Sequence, residues 1–393
     1  PPPGAPPLTS LPPQPAAESA VVVPDWYREG RARLGWGGAK PYDVMKEWFE
    51  HAIAHGIDSF IVGVDSSWLI DYHLVGSDDP PPFAEVAQAA AATGANLFLG
   101  VNFILGPYWQ DQERYGRAVG AYGQELEAPP PLNDDYWLEA LEPLYLGAAK
   151  AALDYPGIKG IEMDLELYGA GTLWYAQGFA FDDDTWGKAV GLVSELSGVL
   201  GSEAEGLQPA ERLAWLVDKG VAGAVYNGFE ALVVTRAAEL REATWAINPD
   251  LELVSYGVMV STAWFYYGWM RGLGTPERPT TLLSYDIATN QARALLNGDG
   301  VNVRILGGLL GVLFDPADLE KGLTNAGAGS DGYWLFQFSD FPYTWDPVAP
   351  QNCTELPMII GRPSKVPTRR WICCKMGCGG TTWTERRRSW SVS

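Results

Sequence analysis

Short apolar runs that read as β-strands alternate along this chain with longer stretches of helical periodicity, and that alternation limits the fold more than any other feature. Strands separated by crossover helices pair in parallel, because the helix carries the chain back to the end of the sheet where the previous strand began. Eight such runs are present: RARLGW (31–36), IDSFIVGVD (57–65), ANLFLGVNF (95–103), IKGIEMDLEL (158–167), LELVSYGV (251–258), TTLLSYD (280–286), VNVRILGG (301–308) and GYWLFQFSD (332–340). Helical patterns lie between them, among them residues 42–56, 82–94, 136–155 and 229–248. Eight strand–helix units in succession predict an α/β chain closed into a (β/α)8 barrel, the TIM barrel. An open doubly wound sheet is the alternative, disfavoured because no glycine-rich phosphate turn follows the first strand.

The barrel is expected to span residues 21–345. Pro fills eight of the first fifteen positions, so residues 1–20 read as an extended linker. A chain without an initiating Met or a signal peptide suits a mature secreted or multi-domain protein, although a cloned fragment looks the same. An extracellular location is the expectation. Residues 346–393 differ in character: positions 361–393 hold eight Lys or Arg against the single acid Glu385, and all four cysteines (Cys353, Cys373, Cys374, Cys378) follow the barrel. That tail reads as a disulfide-linked appendage, a metal knuckle or an out-of-frame translation, zinc being the weakest because no His is near. Two connections, 104–135 and 168–250, are too long for plain crossovers and are expected to wall the face onto which βα loops project.

A net charge of −21 repels polyanions, which argues against nucleic acid and anionic membrane as partners. The apolar run Ile305–Phe314 is far shorter than the roughly 20 residues of a spanning helix. Neither a metal nor a cofactor is called for: His51 and His55 lack the acids of a zinc helix, no G-x-S-x-G elbow occurs, and no inward strand lysine supports Schiff-base chemistry. The chain is rich in tryptophan, 17 in all, and several, including Trp36, Trp68 and Trp109, follow or end strand runs, where flat rings suit sugar faces.

The fourth run carries the chemistry. Side chains alternate along a strand, so Glu162, Asp164 and Glu166 share one face while Ile161, Met163, Leu165 and Leu167 share the other. In a barrel the apolar set meets the helices and the acids point inward. Same-face neighbours are roughly 6.6 Å apart, so three anions in a low-dielectric interior repel one another and at least one is expected to hold a proton near neutrality. Glu166, nearest the rim, is placed to reach substrate as a general acid. Arg304, on the seventh run, is the candidate cation that would make these acids structural instead.

GIEMDLE resembles the strand-four motif D-G-x-D-x-D-x-E of family 18 glycoside hydrolases, the chitinases and endo-β-N-acetylglucosaminidases. The resemblance implies a barrel glycosidase, with Glu166 at the acid position, Asp164 at the middle Asp and Glu162 at the deep Asp. LLSYD is similar to that family's M-x-Y-D and implies Tyr285 and Asp286 beside the reacting sugar. GYWLFQFSD is similar to the strand bearing a subsite Trp, a place that Trp334 or Phe336 would take. Three departures stand against it: Lys159 replaces the leading Asp, Glu162 is one methylene too long, and Leu165 replaces a common aromatic. Asp65, Asn102, Tyr168, Tyr256, Asp340 and Trp36 complete the expected substrate-binding set. Without an acetamido group on the substrate a second carboxylate must serve, with Asp286 first and Asp340 and Asp65 behind it. A carbohydrate-binding barrel without catalysis is the rival from another class.

Overall fold

A computed structural model describes residues 34–54, 58–76, 80–166, 179–257, 263–285, 303–310 and 331–336. Eight strands form a closed barrel, each parallel to the next and in chain order: β1 (Leu34–Gly38), β2 (Ser59–Gly63), β3 (Asn96–Asn102), β4 (Ile158–Asp164), β5 (Glu252–Tyr256), β6 (Thr280–Tyr285), β7 (Val303–Leu310) and β8 (Gly332–Phe336). The (β/α)8 expectation is met strand by strand. Closure runs through Leu34 opposite Trp334. Residues 1–20 and 346–393 lie outside the described residues.

The helices follow from local chemistry. In chain order they are α1 (Tyr42–Ala54), α2 (Ser66–Leu74), α3 (Ala84–Thr93), α4 (Gly106–Gln110), α5 (Gln112–Tyr115), α6 (Asp134–Tyr136), α7 (Glu142–Asp154), α8 (Asp183–Leu196), α9 (Gly198–Glu205), α10 (Pro209–Asp218), α11 (Ala222–Ile247) and α12 (Ala263–Leu273). Helix α3 stops at Gly94, whose φ of 77° is the left-handed conformation that glycine adopts without penalty. The stretch 136–155 is not one regular helix: Trp137–Leu141 form a π-helical turn in which the Glu142 N–H reaches back to the Trp137 carbonyl. Pro143 follows immediately and cannot donate a helical hydrogen bond, so the widened turn takes up the mismatch.

Two buried layers separate by strand parity. Phe60, Val62, Leu97, Leu99, Val101, Ile161, Met163, Leu253 and Ile305 pack into one cluster with helix residues such as Phe49, Leu144, Tyr145 and Trp269. Phe98, Val254, Tyr256, Leu283, Leu306 and Trp334, of the opposite parity, are buried outside that cluster and fill the barrel. Gly160 is required on the inner side, since a Cβ there would sit 2.7 Å from the Phe98 ring.

Both long connections carry helices. After β3 come α4 and α5 and a loop pinned by an antiparallel bridge between Val119 and Glu125. Helices α8 to α11 precede β5, and Asp134 ties α6 to two of them through Lys188 and Arg236. Arg212 anchors the start of α8, its Nη1 donating to the Phe181 carbonyl at 2.6 Å and its guanidinium lying over the Trp186 ring.

Candidate active site

Strand β4 ends at Asp164, three residues earlier than the run 158–167 suggests. The reason is the aspartate itself: its Oδ1 accepts the Glu166 N–H at 2.8 Å, turning the chain out of the ladder. Asn102, opposite Asp164 in register, completes the turn by donating its amide to the Glu166 carbonyl at 2.6 Å and the Asp164 carbonyl at 3.2 Å. Leu165 still donates to the Tyr256 carbonyl at 2.8 Å, and the Tyr266 hydroxyl donates to the Leu165 carbonyl at 2.9 Å. Glu166 therefore emerges at the carboxyl-terminal rim, half-buried, from a backbone held on three sides.

Its side chain is held too. The Tyr256 hydroxyl donates to Glu166 Oε1 at 3.1 Å. Tyr256 is in turn packed against Trp334, ring centroids 5.3 Å apart and tilted by 64°, and the Trp334 indole donates to the Ser284 carbonyl at 2.9 Å. Three strands thus meet around one carboxylate.

Below the rim the other two acids differ sharply. Asp164 is buried with its carboxylate used in the turn. Glu162 is fully buried, and neither of its oxygens has a hydrogen-bond partner among the described residues. Burial first, and the Asp164 carboxylate second, push the Glu162 carboxyl well above its usual range. The acid so raised is the deepest of the three, and burial outweighs the repulsion between neighbouring carboxylates as the cause.

Arg304 does not neutralise the ladder. It is buried inside the barrel and pairs with Glu252 at 3.6 Å, near the start of β5. Burial raises the Glu252 carboxyl, and Arg304 and Arg278 offset part of that rise. Glu162, by contrast, has no hydrogen-bond partner among the described residues.

The remaining candidates fall as follows. Asp65 caps α2, its Oδ1 accepting from the Ser67 N–H at 2.9 Å and the Ser67 hydroxyl at 2.7 Å. Trp36, Tyr285 and Phe336 stand in β1, β6 and β8, in register with Ile61, Gly308 and Leu310. Tyr168, Asp286 and Asp340 lie outside the described residues. The structure brings Glu162, Asp164, Asn102, Tyr256, Trp334 and Glu166 together. Sequence reading missed Tyr266, whose hydroxyl fixes the rim from α12; the aromatic run AWFYYGWM gives no sign of which ring turns inward. A surface cleft of about 300 Å³ lined by Tyr72, Gly76, Lys150, Leu153 and Asp154 lies elsewhere, where α2 and α7 end. Helices of a barrel run counter to its strands, so that cleft is at the face opposite Glu166, away from the acids.

Among the described residues no group of three or more His, Cys, Asp or Glu is arranged to hold a metal ion, and no helix is long and apolar enough to cross a membrane.

No protein-family model matches the chain, and no curated protein matches it in sequence. Solved structures do. The catalytic domain of β-amylase from Paenibacillus polymyxa superposes with a TM-score of 0.59 at 11% identity, over 85% of this chain and 99% of that domain. A β-galactosidase from Marinomonas ef1 gives 0.55 at 12% identity, over 77% of this chain and 53% of that one. A β-galactosidase from Bacillus circulans gives 0.52 at 13%, over 79% and 51%. At such identities the likeness establishes the fold: a TIM barrel of the kind that glycoside hydrolases use.

Proposed function

We propose that this protein hydrolyses O-glycosidic bonds by carboxylate general acid/base catalysis, with Glu166 as the acid. One observation carries the reading: Glu166, two residues past the end of β4, stands half-buried at the carboxyl-terminal rim with its Oε1 accepting from Tyr256, while Glu162 is fully buried beneath it with its carboxyl raised by burial. Glycoside hydrolases with this barrel supply the fold-level analogy.

In the finer reading, which the motif resemblance favours, the substrate carries a 2-acetamido group. Glu166 protonates the glycosidic oxygen as the C–O bond breaks, and the substrate's own amide oxygen attacks the anomeric carbon. Asp164 orients the amide and stabilises the oxazolinium. Tyr285 hydrogen-bonds the carbonyl. Glu166 then takes a proton from the incoming water, and configuration is retained.

The likeness to a β-amylase and β-galactosidases favours a second reading, in which the glycan lacks the acetamido group and a second enzyme carboxylate acts as nucleophile or base. Asp286 is the first choice, followed by Asp340. Asp65 stands behind them because its Oδ1 is used in capping α2.

Release of reducing sugar from chito-oligosaccharides, malto-oligosaccharides and β-galactosides, with the anomer of the product resolved, tests both readings. Wild type is expected to turn over one of these classes and Glu166→Gln to lose at least about a thousandfold in kcat, the scale of a deleted proton donor. Full turnover by Glu166→Gln removes Glu166 as the acid. Wild type that binds these glycans without cleaving any would instead be a binding protein.

A further inference from the structure

Tyr256 does more than line the mouth, and the geometry points to it as the positioning residue that orients the Glu166 carboxyl. The inference rests on the glycosidase reading above. A phenol fixed in place that donates to one carboxyl oxygen holds the plane of that carboxyl. Tyr256 does so at Oε1 over 3.1 Å. The same contact stabilises the ionised carboxylate more than the neutral acid, because hydrogen bonds to charged acceptors are the stronger ones.

The phenol is itself immobile, which is what lets it orient rather than follow. Tyr256 is buried, its ring lies on Trp334, and its carbonyl accepts the Leu165 N–H at 2.8 Å, so the strand that presents the phenol also holds the residue before the acid. Gly257 comes next, and a Cβ there would meet the Tyr266 ring at 2.6 Å; this close approach brings the Tyr266 hydroxyl onto the Leu165 carbonyl. Around Glu166 stand Asp164, whose Oδ1 accepts the Glu166 N–H, Asn102 from β3, which donates to the Glu166 carbonyl, Tyr256 from β5, and Tyr266 from α12, which holds the Leu165 carbonyl. Of these, Tyr256 donates to the carboxylate oxygen itself.

The test is the pH dependence of kcat/KM for the full chain on whichever of the three glycan classes the wild type cleaves. Tyr256→Phe keeps the ring on Trp334 and removes the donor. Its alkaline limb is expected to move to higher pH by about one unit, with kcat falling about tenfold and KM changing less than about twofold. Incorporation of 3-fluorotyrosine at position 256 leaves the fold intact and strengthens the donor; it is expected to move the limb the opposite way, which keeps the question decidable if the Phe variant does not fold. An active Tyr256→Phe enzyme, or a 3-fluorotyrosine enzyme, whose alkaline limb coincides with that of wild type overturns the role of Tyr256 while leaving Glu166 as the acid. Loss of the glycosidase reading shows differently, as absence of turnover by the wild type or undiminished turnover by Glu166→Gln.

Discussion

Glu162 shows how far burial alone can set the state of a side chain. It sits one layer below Asp164 on the same face of β4, its oxygens are without hydrogen-bond partners among the described residues, and its carboxyl is raised well above the ordinary range, chiefly by desolvation. An acid whose folded value is raised binds more protons folded than unfolded. Its contribution to stability is complete below about pH 4.3, where unfolded glutamate titrates, and is lost as pH rises toward the folded value. Glu162→Gln keeps the shape and removes the titration. Urea unfolding at pH 4, 6 and 8 is therefore expected to show the variant equal to wild type at pH 4 and progressively more stable than it above. A wild-type advantage that grows with pH would mean that Glu162 is ionised in the folded protein. The presence of stacked acids was legible in the spelling of residues 160–167. Which acid holds the proton was not, because desolvation is a property of everything packed around a group.

At the scale of elements, small residues set how closely helices approach. Helix α7 lies against α2 at Gly147, where a Cβ would stand 2.0 Å from the Leu69 carbonyl oxygen. Two effects of Gly147→Ala compete. Helix propensity favours alanine by about 1 kcal/mol, whereas forcing a methyl into backbone that cannot swing aside costs typically 1–3 kcal/mol and more when the helices must separate. The clash wins. Thermal or urea unfolding is expected to find the variant destabilised by about 2 kcal/mol, and a stabilised variant would show that α2 and α7 slide freely. Helix α12 meets α11 in the same way, with Gly268 and Gly272 against Val233 and Ala237. The periodicity of α7 was readable from residues 136–155, but the π-helical turn at Trp137–Leu141 depends on how Pro143 is accommodated.

For the molecule as a whole, the barrel interior is arranged from floor to mouth: a buried Arg304–Glu252 pair near the strand starts, the buried Glu162 with its raised carboxyl above it, then Asp164, and Glu166 at the rim. Breaking a buried pair leaves one charge uncompensated, at a cost of about 3 kcal/mol. Arg304→Met is expected to show that loss near pH 8 and to recover part of it near pH 5, because Glu252, already raised by burial and no longer offset by Arg304, can take up a proton. Unfolding free energies at the two pH values measure it; a loss that does not diminish on acidification would show that Arg304 acts by packing alone.

What the chain determined by itself is the order of eight strands and the face on which three acids stand, since both follow from periodicities of a few residues that any reader of the string can count. Tertiary structure alone decided that Arg304 pairs with Glu252 rather than with Glu162, that Asp164 and Asn102 turn Glu166 out of the ladder, and that Tyr256 grips its oxygen. The Asp164 turn is local, but the Asn102 clamp, the Tyr256 hydroxyl and the Arg304–Glu252 pair each join residues from separate strands, where distance and dielectric are fixed by how the barrel closes rather than by any neighbour in sequence.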